Sequence, residues 1–309
     1  ITIFDMAKYI KVPTFKLNTG ATIPAIGFGT WRSTEEEAYN AVITALKVGY
    51  RHIDTAYIYG NEHIVGKAIK DSGVPREEIF LTTKLWATGA MKSAESLENS
   101  VKSLGVDYVD LYLMHWPVTM NPNGNDDKFP SKPDGTRDVI PESEWSYVDT
   151  YKSMEKLLES GLTKAIGVSN FTVFKMKKII NECKIVPAAL QIELHPLLPQ
   201  QELVDFCQNN GIIVEAYSPL GSIGAPLLKT DELIKIAEKY NVSTAAICIS
   251  WQVWRKVVPL PKSVNAERIE ANLKIVDLED ADGEEISNLY KIHGVQRFVS
   301  PDWGVVIFD

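Results

Sequence analysis

Along most of the chain, apolar runs of four to seven residues alternate with longer stretches whose apolar positions recur at helical spacing. The runs predict strands at residues 26–29, 52–55, 79–84, 109–115, 165–168, 188–192, 213–217 and 257–260. The stretches between them predict helices at 35–48, 62–71, 94–104, 147–159, 173–182 and 201–209, with two in succession near 231–239 and 244–253. Ahead of these, residues 15–23 read as a small hairpin turned at 18–20. Some ends carry their own chemistry. Thr34 can cap the first helix, with Glu35, Glu36 and Glu37 in its positive first turn, and Gly161 and Gly211 follow helix ends where a positive φ is wanted.

About eight strand-helix units in a row predict a closed parallel (β/α)8 barrel, with an N-terminal β-hairpin and extra helices and loops at its C-terminal face. A doubly wound sheet is the competing architecture. Its dinucleotide-binding form calls for G-x-G-x-x-G after the first strand, and GFGTW at residues 27–31 stops short of the third glycine, which favours the barrel. By length alone, 309 residues allow two domains or one barrel. The reading adopted is a single domain over residues 6–309, with Met6 as natural start and residues 1–5 as an expression remnant or flexible tail. Residues 121–141, rich in Pro, Asn, Asp and Gly, read as a functional excursion rather than a domain boundary.

Composition narrows the partners. With 45% hydrophobic and 23% charged residues the chain is ordinary globular material, and 40 acidic against 32 basic side chains leave a net charge of −8. An acidic balance without basic clusters argues against nucleic acid, whose binding relies on neutralised phosphates. The apolar runs are too short to span a bilayer and no leader is evident, so neither a membrane partner nor secretion is expected. Cys183, Cys207 and Cys248 are odd in number and form no CxxC, which fits a reducing, cytoplasmic setting and no metal site.

Nearly every predicted strand ends in a polar or titratable group: Asp54, Lys84, His115, Ser169 with Asn170, Gln191, Tyr217 and Lys262. In a barrel those ends converge on one rim. His52, two residues before Asp54, is read as structural, on the other face of its strand or in a different layer. His63, His195 and His293 receive no catalytic role, and Trp145, Trp251 and Trp254 read as packing residues.

The segment GYRHIDTAYIYGNE (residues 49–62) resembles the aldo-keto reductase superfamily, as do KAIGVSNF (164–171) and LPKSVNAER (260–268), continuing to Asn272. LTTKLW (81–86) and DLYLMHWP (110–117) fit the same pattern. DSGVPREEI (71–79) and ELHPLLPQ (193–200) are similar to fungal NADPH-dependent aldehyde and glycerol-type reductases. The resemblance implies a catalytic tetrad of Asp54, Tyr59, Lys84 and His115. Tyr59 would donate the proton to the nascent alkoxide. A nearby Lys84 ammonium would lower the phenol's pKa toward the working range, Asp54 would hold Lys84 charged, and neutral His115 would position the carbonyl oxygen.

For the cofactor, NADPH/NADP+, the resemblance places Ser169, Asn170 and Gln191 at the nicotinamide carboxamide and stacks Tyr217 on the ring. Thr30 and Trp31 approach the same end, with Asp54 beneath. Ser218, Leu220 and Ser222, in SPLGS, belong to the loop over the pyrophosphate, where glycine and hydroxyl donors suit phosphate. Lys262, Ser263 and Arg268 match a site for the adenosine 2′-phosphate, with Asn272 at adenine; Ala271 departs from the Glu or Gln that relatives commonly carry. The substrate slot is expected from Trp31, Tyr57, Trp86, His115 and Trp116, walled by residues 118–144 and 298–309.

The implied activity is NADPH-dependent reduction of aldehydes and some ketones, including keto esters and small hydroxy-carbonyls, by a monomer or weak homodimer whose partner is a small carbonyl or alcohol. Two alternatives come from other classes. One is an NADPH-binding regulatory or redox-sensing barrel subunit with little turnover, against which the four intact tetrad positions argue. The other is a metal-dependent barrel hydrolase, which needs several converging ligands where only His115 of the five histidines ends a strand on the rim.

Overall fold

The computed structural model describes residues 9–221 and 224–309, so the expectations for residues 1–5 and for Ser222 fall outside the described residues. Its first element is the hairpin β1 (Thr14–Lys16) and β2 (Thr22–Pro24), paired antiparallel with Phe15 opposite Ile23. Eight parallel strands follow: β3 (Phe28–Gly29), β4 (His52–Asp54), β5 (Phe80–Leu85), β6 (Leu111–Met114), β7 (Ile166–Ser169), β8 (Ala189–Glu193), β9 (Ile213–Tyr217) and β10 (Val257–Pro259). They are hydrogen-bonded in sequence order. Two bonds join the ends of the series, from the Gly27 amide to the Pro259 carbonyl at 3.0 Å and from the Gly29 amide to the Pro261 carbonyl at 3.1 Å. The sheet therefore closes on itself. The seam is tight: a Cβ on Gly27 would lie 2.5 Å from Leu260 Cδ2 and 2.7 Å from His52 Nδ1, so a larger residue would have to displace both side chains.

The helices are α1 (Glu35–Val48), α2 (Glu62–Asp71), α3 (Ser93–Leu104), α4 (Tyr147–Glu155), α5 (Val173–Glu182), α6 (Gln201–Asn209), α7 (Asp231–Tyr240), α8 (Thr244–Trp254), α9 (Ala266–Ala271), α10 (Asp280–Ser287) and α11 (Leu289–His293). Thr34 caps α1 in a reciprocal box with Glu37, and Gly161 and Gly211 sit at φ +74° and +70°, as their positions after helix ends require. The helix expected at 147–159 ends at Glu155 and tightens into a 3-10 turn, Lys156–Ser160, before Gly161.

A two-residue period sorts the barrel. Outward residues such as Ile53, Leu81, Tyr112, Met114, Ile166, Val168, Leu190, Ile192, Val214 and Ala216 form the core beneath the helices. The inward residues stack in layers. At the bottom, Phe80, Leu111, Ala165, Ala189 and Val258 meet Leu17 and Ile23 of the hairpin, which plugs that end. At the top the inward positions are Asp54, Lys84, His115, Ser169, Gln191 and Tyr217, each within two residues of the end of its strand. Of the two placements expected for His52, the structure shows the second: residues two apart share a face, so it points inward with Asp54, one layer lower, and not to the other face.

Candidate active site

The top layer surrounds the floor of a cavity of about 880 Å³. Asp54 Oδ1 accepts a 2.6 Å bond from Lys84 Nζ, which also donates to the Thr55 carbonyl at 2.8 Å and stands 3.5 Å from the Tyr59 hydroxyl. Lys84 is completely buried, and a buried ammonium persists only when paired and hydrogen-bonded, as here. Burial would lower its pKa, but the Asp54 carboxylate, with Tyr59 and Glu215 beyond it, more than offsets this and the net direction is upward. Lys84 stays charged.

Tyr59 sits on a 3-10 turn, Tyr57–Tyr59, that the chain enters directly from β4 and leaves through Gly60 at φ +71°. Its ring meets the His115 ring edge-on at 5.9 Å. Burial pushes the phenol's pKa up, and the pull of Lys84 in the other direction does not overcome it. The expected lowering toward the working range is thus absent in the free protein, because desolvation outweighs one ammonium 3.5 Å away. The hydroxyl is a neutral acid throughout the physiological range. Burial, aided by the Lys84 charge, drives the pKa of His115 well down, so its imidazole is neutral.

A second set of groups continues the circle. Ser169 donates to the Gln191 carbonyl at 2.8 Å, Asn170 Nδ2 to the His115 carbonyl at 2.9 Å, and the Tyr217 hydroxyl to Asn170 Oδ1 at 2.6 Å. Gln191 Nε2 is shared between Asp54 Oδ2 at 2.8 Å and Glu215 Oε2 at 3.1 Å, which leaves its Oε1 as acceptor for a ligand amide. Asn170 and Ser218 both hold left-handed backbone, φ +63° and +49°, strain that aims their groups along the cavity wall. Thr30 Oγ1 donates to the Asp54 carbonyl at 3.0 Å, and Trp31 beside it is exposed beneath the Arg32 guanidinium. These groups fit the amide and ring of a nicotinamide.

The far end differs. Lys262 lines the cavity, is exposed, and donates to the Arg32 carbonyl at 3.1 Å. Arg268, exposed on α9, makes no side-chain hydrogen bond or ion pair among the described residues. Ser263 bonds within its own turn to Asn265, and Asn272 is buried after α9. Two exposed cations that form no ion pair among the described residues, with only the Glu37 carboxylate near Lys262, fit a phosphate beside the Ser263 hydroxyl. Arg268, Ser263 and Asn272 lie beyond the cavity lining, whereas Ser218 and Leu220 are part of it.

On the substrate side, Trp86 is flanked edge-on by Phe129 at 5.3 Å and Trp303 at 5.9 Å, and Trp303 also meets Trp116 at 5.2 Å. The long loop is tied down where Trp86 Nε1 donates to the Lys128 carbonyl at 2.6 Å. The C-terminal wall is fixed by the buried Glu193 carboxylate, which accepts the Phe298 and Val299 amides at 2.8 and 2.9 Å. Tyr57 is not brought into this cavity. It faces Asp127 and lines a separate pocket of about 180 Å³ behind Trp86. Reading the sequence missed Arg32 and Ile58 in the lining and the two interior carboxylates. Glu193 and Glu215 stand two residues from Gln191 and Tyr217, so the strand period marks them as inward.

The aldo/keto reductase family model matches residues 25–293. An aldehyde reductase of Saccharomyces cerevisiae is 54% identical, covering 94% of this chain and 95% of its own length. The NADP(+) glycerol 2-dehydrogenase of the same yeast is 52% identical over 98% and 97%, and a D-galacturonate reductase of Hypocrea jecorina 49% over 94% and 96%. Among solved structures, the aldose reductase from Schistosoma japonicum superposes with a TM-score of 0.85 at 37% identity, covering 92% of this chain and 93% of that one. The matched residues run from the first barrel strand to the end of α11, and the chain belongs to the aldo/keto reductase family.

Proposed function

We propose that this enzyme reduces its carbonyl substrates with Tyr59 as proton donor, in a site where Lys84, Asp54 and His115 each hold one part of the reaction. The chain is an NADPH-dependent oxidoreductase that converts aldehydes and some ketones to alcohols. When bound, NADPH supplies the hydride. Neutral His115 and the Tyr59 hydroxyl converge on the position of the substrate oxygen, and Tyr59 gives its proton to that oxygen as charge develops there. The Lys84 ammonium stabilises the phenolate left behind, and Asp54 keeps Lys84 charged and aimed. The observation that carries this reading is the buried Asp54–Lys84 pair ending at a phenol on the cavity floor.

Ser169, Asn170, Gln191 and Tyr217 would hold the nicotinamide, Ser218 and Leu220 the pyrophosphate, and Lys262, Ser263 and Arg268 the 2′-phosphate. The aromatic lining of Trp31, Trp86, Trp116 and Trp303 suits compact apolar and aromatic aldehydes. Relatives named as reductases and dehydrogenases give a regulatory barrel no support. Among the described residues no helix is long and apolar enough to cross a membrane. The reading treats residues 6–309 as one barrel domain, a monomer or weak homodimer in the cytoplasm, a setting that suits three free cysteines.

The direct test is loss of NADPH absorbance on adding an activated aromatic aldehyde, glyceraldehyde and a β-keto ester, with NADH in parallel. Turnover is expected with NADPH and little with NADH. Bound NADPH with no oxidation across the panel would overturn the reading.

A further inference from the structure

One layer below the tetrad, the barrel interior holds two titratable side chains that the reaction does not use. His52 on β4 and Glu215 on β9 are both fully buried, and His52 Nε2 stands 3.4 Å from Glu215 Oε1. Neither atom has a hydrogen-bond partner among the described residues. The other oxygen of Glu215 accepts from Gln191 Nε2, which also serves Asp54, so the pair is joined by one amide to the tetrad. Space for the imidazole is built in: a Cβ on Gly27 would lie 2.7 Å from His52 Nδ1.

The charged groups that face Glu215 are Asp54 on β4 and Lys84 on β5. On β10, its other neighbour, Val257, Val258 and Pro259 cannot titrate. One ammonium thus faces two carboxylates, and Asp54 already holds it. A second buried anion would be uncompensated, which is costly in a dry interior. A proton on Glu215 removes that charge and supplies the missing hydrogen bond to Nε2, while Nδ1–H faces the Pro24 carbonyl at 3.4 Å. Burial favours this arrangement on both sides: it lifts the Glu215 pKa, with Asp54 adding to the rise, to about 8, and lowers that of His52 to about 4.

We propose that protonated Glu215 and neutral His52 form a buried acid pair sharing one proton between Oε1 and Nε2, which positions Asp54 through Gln191 and sets the field in which Lys84 and Tyr59 work. Glu215 is a positioning residue that never touches substrate. At alkaline pH it loses its proton to water, and the new carboxylate beside Asp54 keeps the Lys84 ammonium and the Tyr59 phenol protonated to higher pH. The carbonyl-reducing limb therefore extends further into the alkaline range than the tetrad alone would allow. This role rests on the reading of Tyr59 as proton donor.

Glu215→Gln reproduces the shape of the protonated acid and cannot ionise. Its alkaline limb for kcat of reduction is expected to fall roughly one pH unit lower than in the wild type, the low end for a nearby charge. An unmoved limb would overturn the proposal. Infrared spectroscopy of the cofactor-free protein at pH 7 gives a readout without turnover. The wild-type minus variant difference should contain the carbonyl stretch of one protonated carboxyl, which titrates near pH 8. The subtraction is needed because burial also raises the pKa of Glu62, which accepts from Thr83 and Ser100. Absence of the band would refute the acid pair whatever the kinetics show, and should Glu215→Gln fold poorly, a Glu62→Gln protein, which lacks the other raised carboxyl, should still lose a carboxyl band near pH 8. A band present in an enzyme without turnover would instead refute the proton-donor reading and, with it, the positioning role.

Discussion

The two ends of the cavity use positive charge in opposite ways. At the tetrad end the ammonium of Lys84 is fully buried and bonded to Asp54, a backbone carbonyl and Tyr59 before any ligand arrives. At the end proposed for the phosphate, Lys262 on the lining and Arg268 beyond it are exposed, and neither forms an ion pair with a carboxylate among the described residues. A group that must hold an exact geometry through proton transfer is pre-ordered, with its desolvation already compensated. A group that must capture and release a phosphate is left solvated, so that its counter-charge can be the ligand. Mutations at the first end should therefore disturb folding as well as chemistry, and those at the second only binding.

The largest effect is expected from Asp54→Asn. It strips a buried ammonium of its counter-charge, a loss of about 3–5 kcal/mol for a broken buried pair. Denaturant unfolding should show it, alongside a large fall in kcat. Unchanged stability would mean that Lys84 finds other support and that the ends differ less than their geometry suggests. Next comes Arg268→Ala, which should weaken NADPH by about tenfold or more, as for a lost charge-assisted bond, and NADH little. Fluorescence titration of both cofactors checks it, and equal losses would assign Arg268 to packing. Smallest is the effect of salt: raising ionic strength should weaken NADPH binding a few-fold through the exposed cations while leaving the single-turnover rate of the bound complex unaltered. A salt-sensitive chemical step would place solvent at the tetrad.

The sequence made the frame of this site legible where local physics decides. Helices α1, α2, α5 and α6 lie at their expected bounds. The clearest reason is seen at α1, where Thr34 and Gly49 mark the two ends with cap chemistry. Strands shift by one or two residues, as at β6, expected over 109–115 and found at Leu111–Met114. A parallel strand buried on both faces reads as a continuous apolar run with no alternation to mark its register. The short helices α9, α10 and α11 gave no separate signal, being six, eight and five residues long. In the site, these residues converge because the barrel's register brings inward positions near the strand ends to one rim. Tyr57 illustrates the limit: it follows β4 closely, yet a 3-10 turn sends it toward Asp127, and no strand period governs a turn. Phe129 and Trp303 reach Trp86 from the two segments expected as walls of the slot, but which side chain in each segment makes the contact is a tertiary fact that local pattern does not encode. Glu215 was within reach of the pattern, since it shares the face of Tyr217, but an acidic residue inside a strand reads as solvent-facing until the partners beside it are known.

The central claim is that the phenol of Tyr59, supported by the buried Lys84–Asp54 pair, gives the proton, and Tyr59→Phe tests it most directly. The ring and its packing against His115 remain, so NADPH should bind as tightly as to the wild type, while turnover on the best aldehyde falls by about 10²–10⁴-fold. Wild-type turnover by the phenylalanine enzyme would contradict the claim and move the proton to another group on the cavity floor.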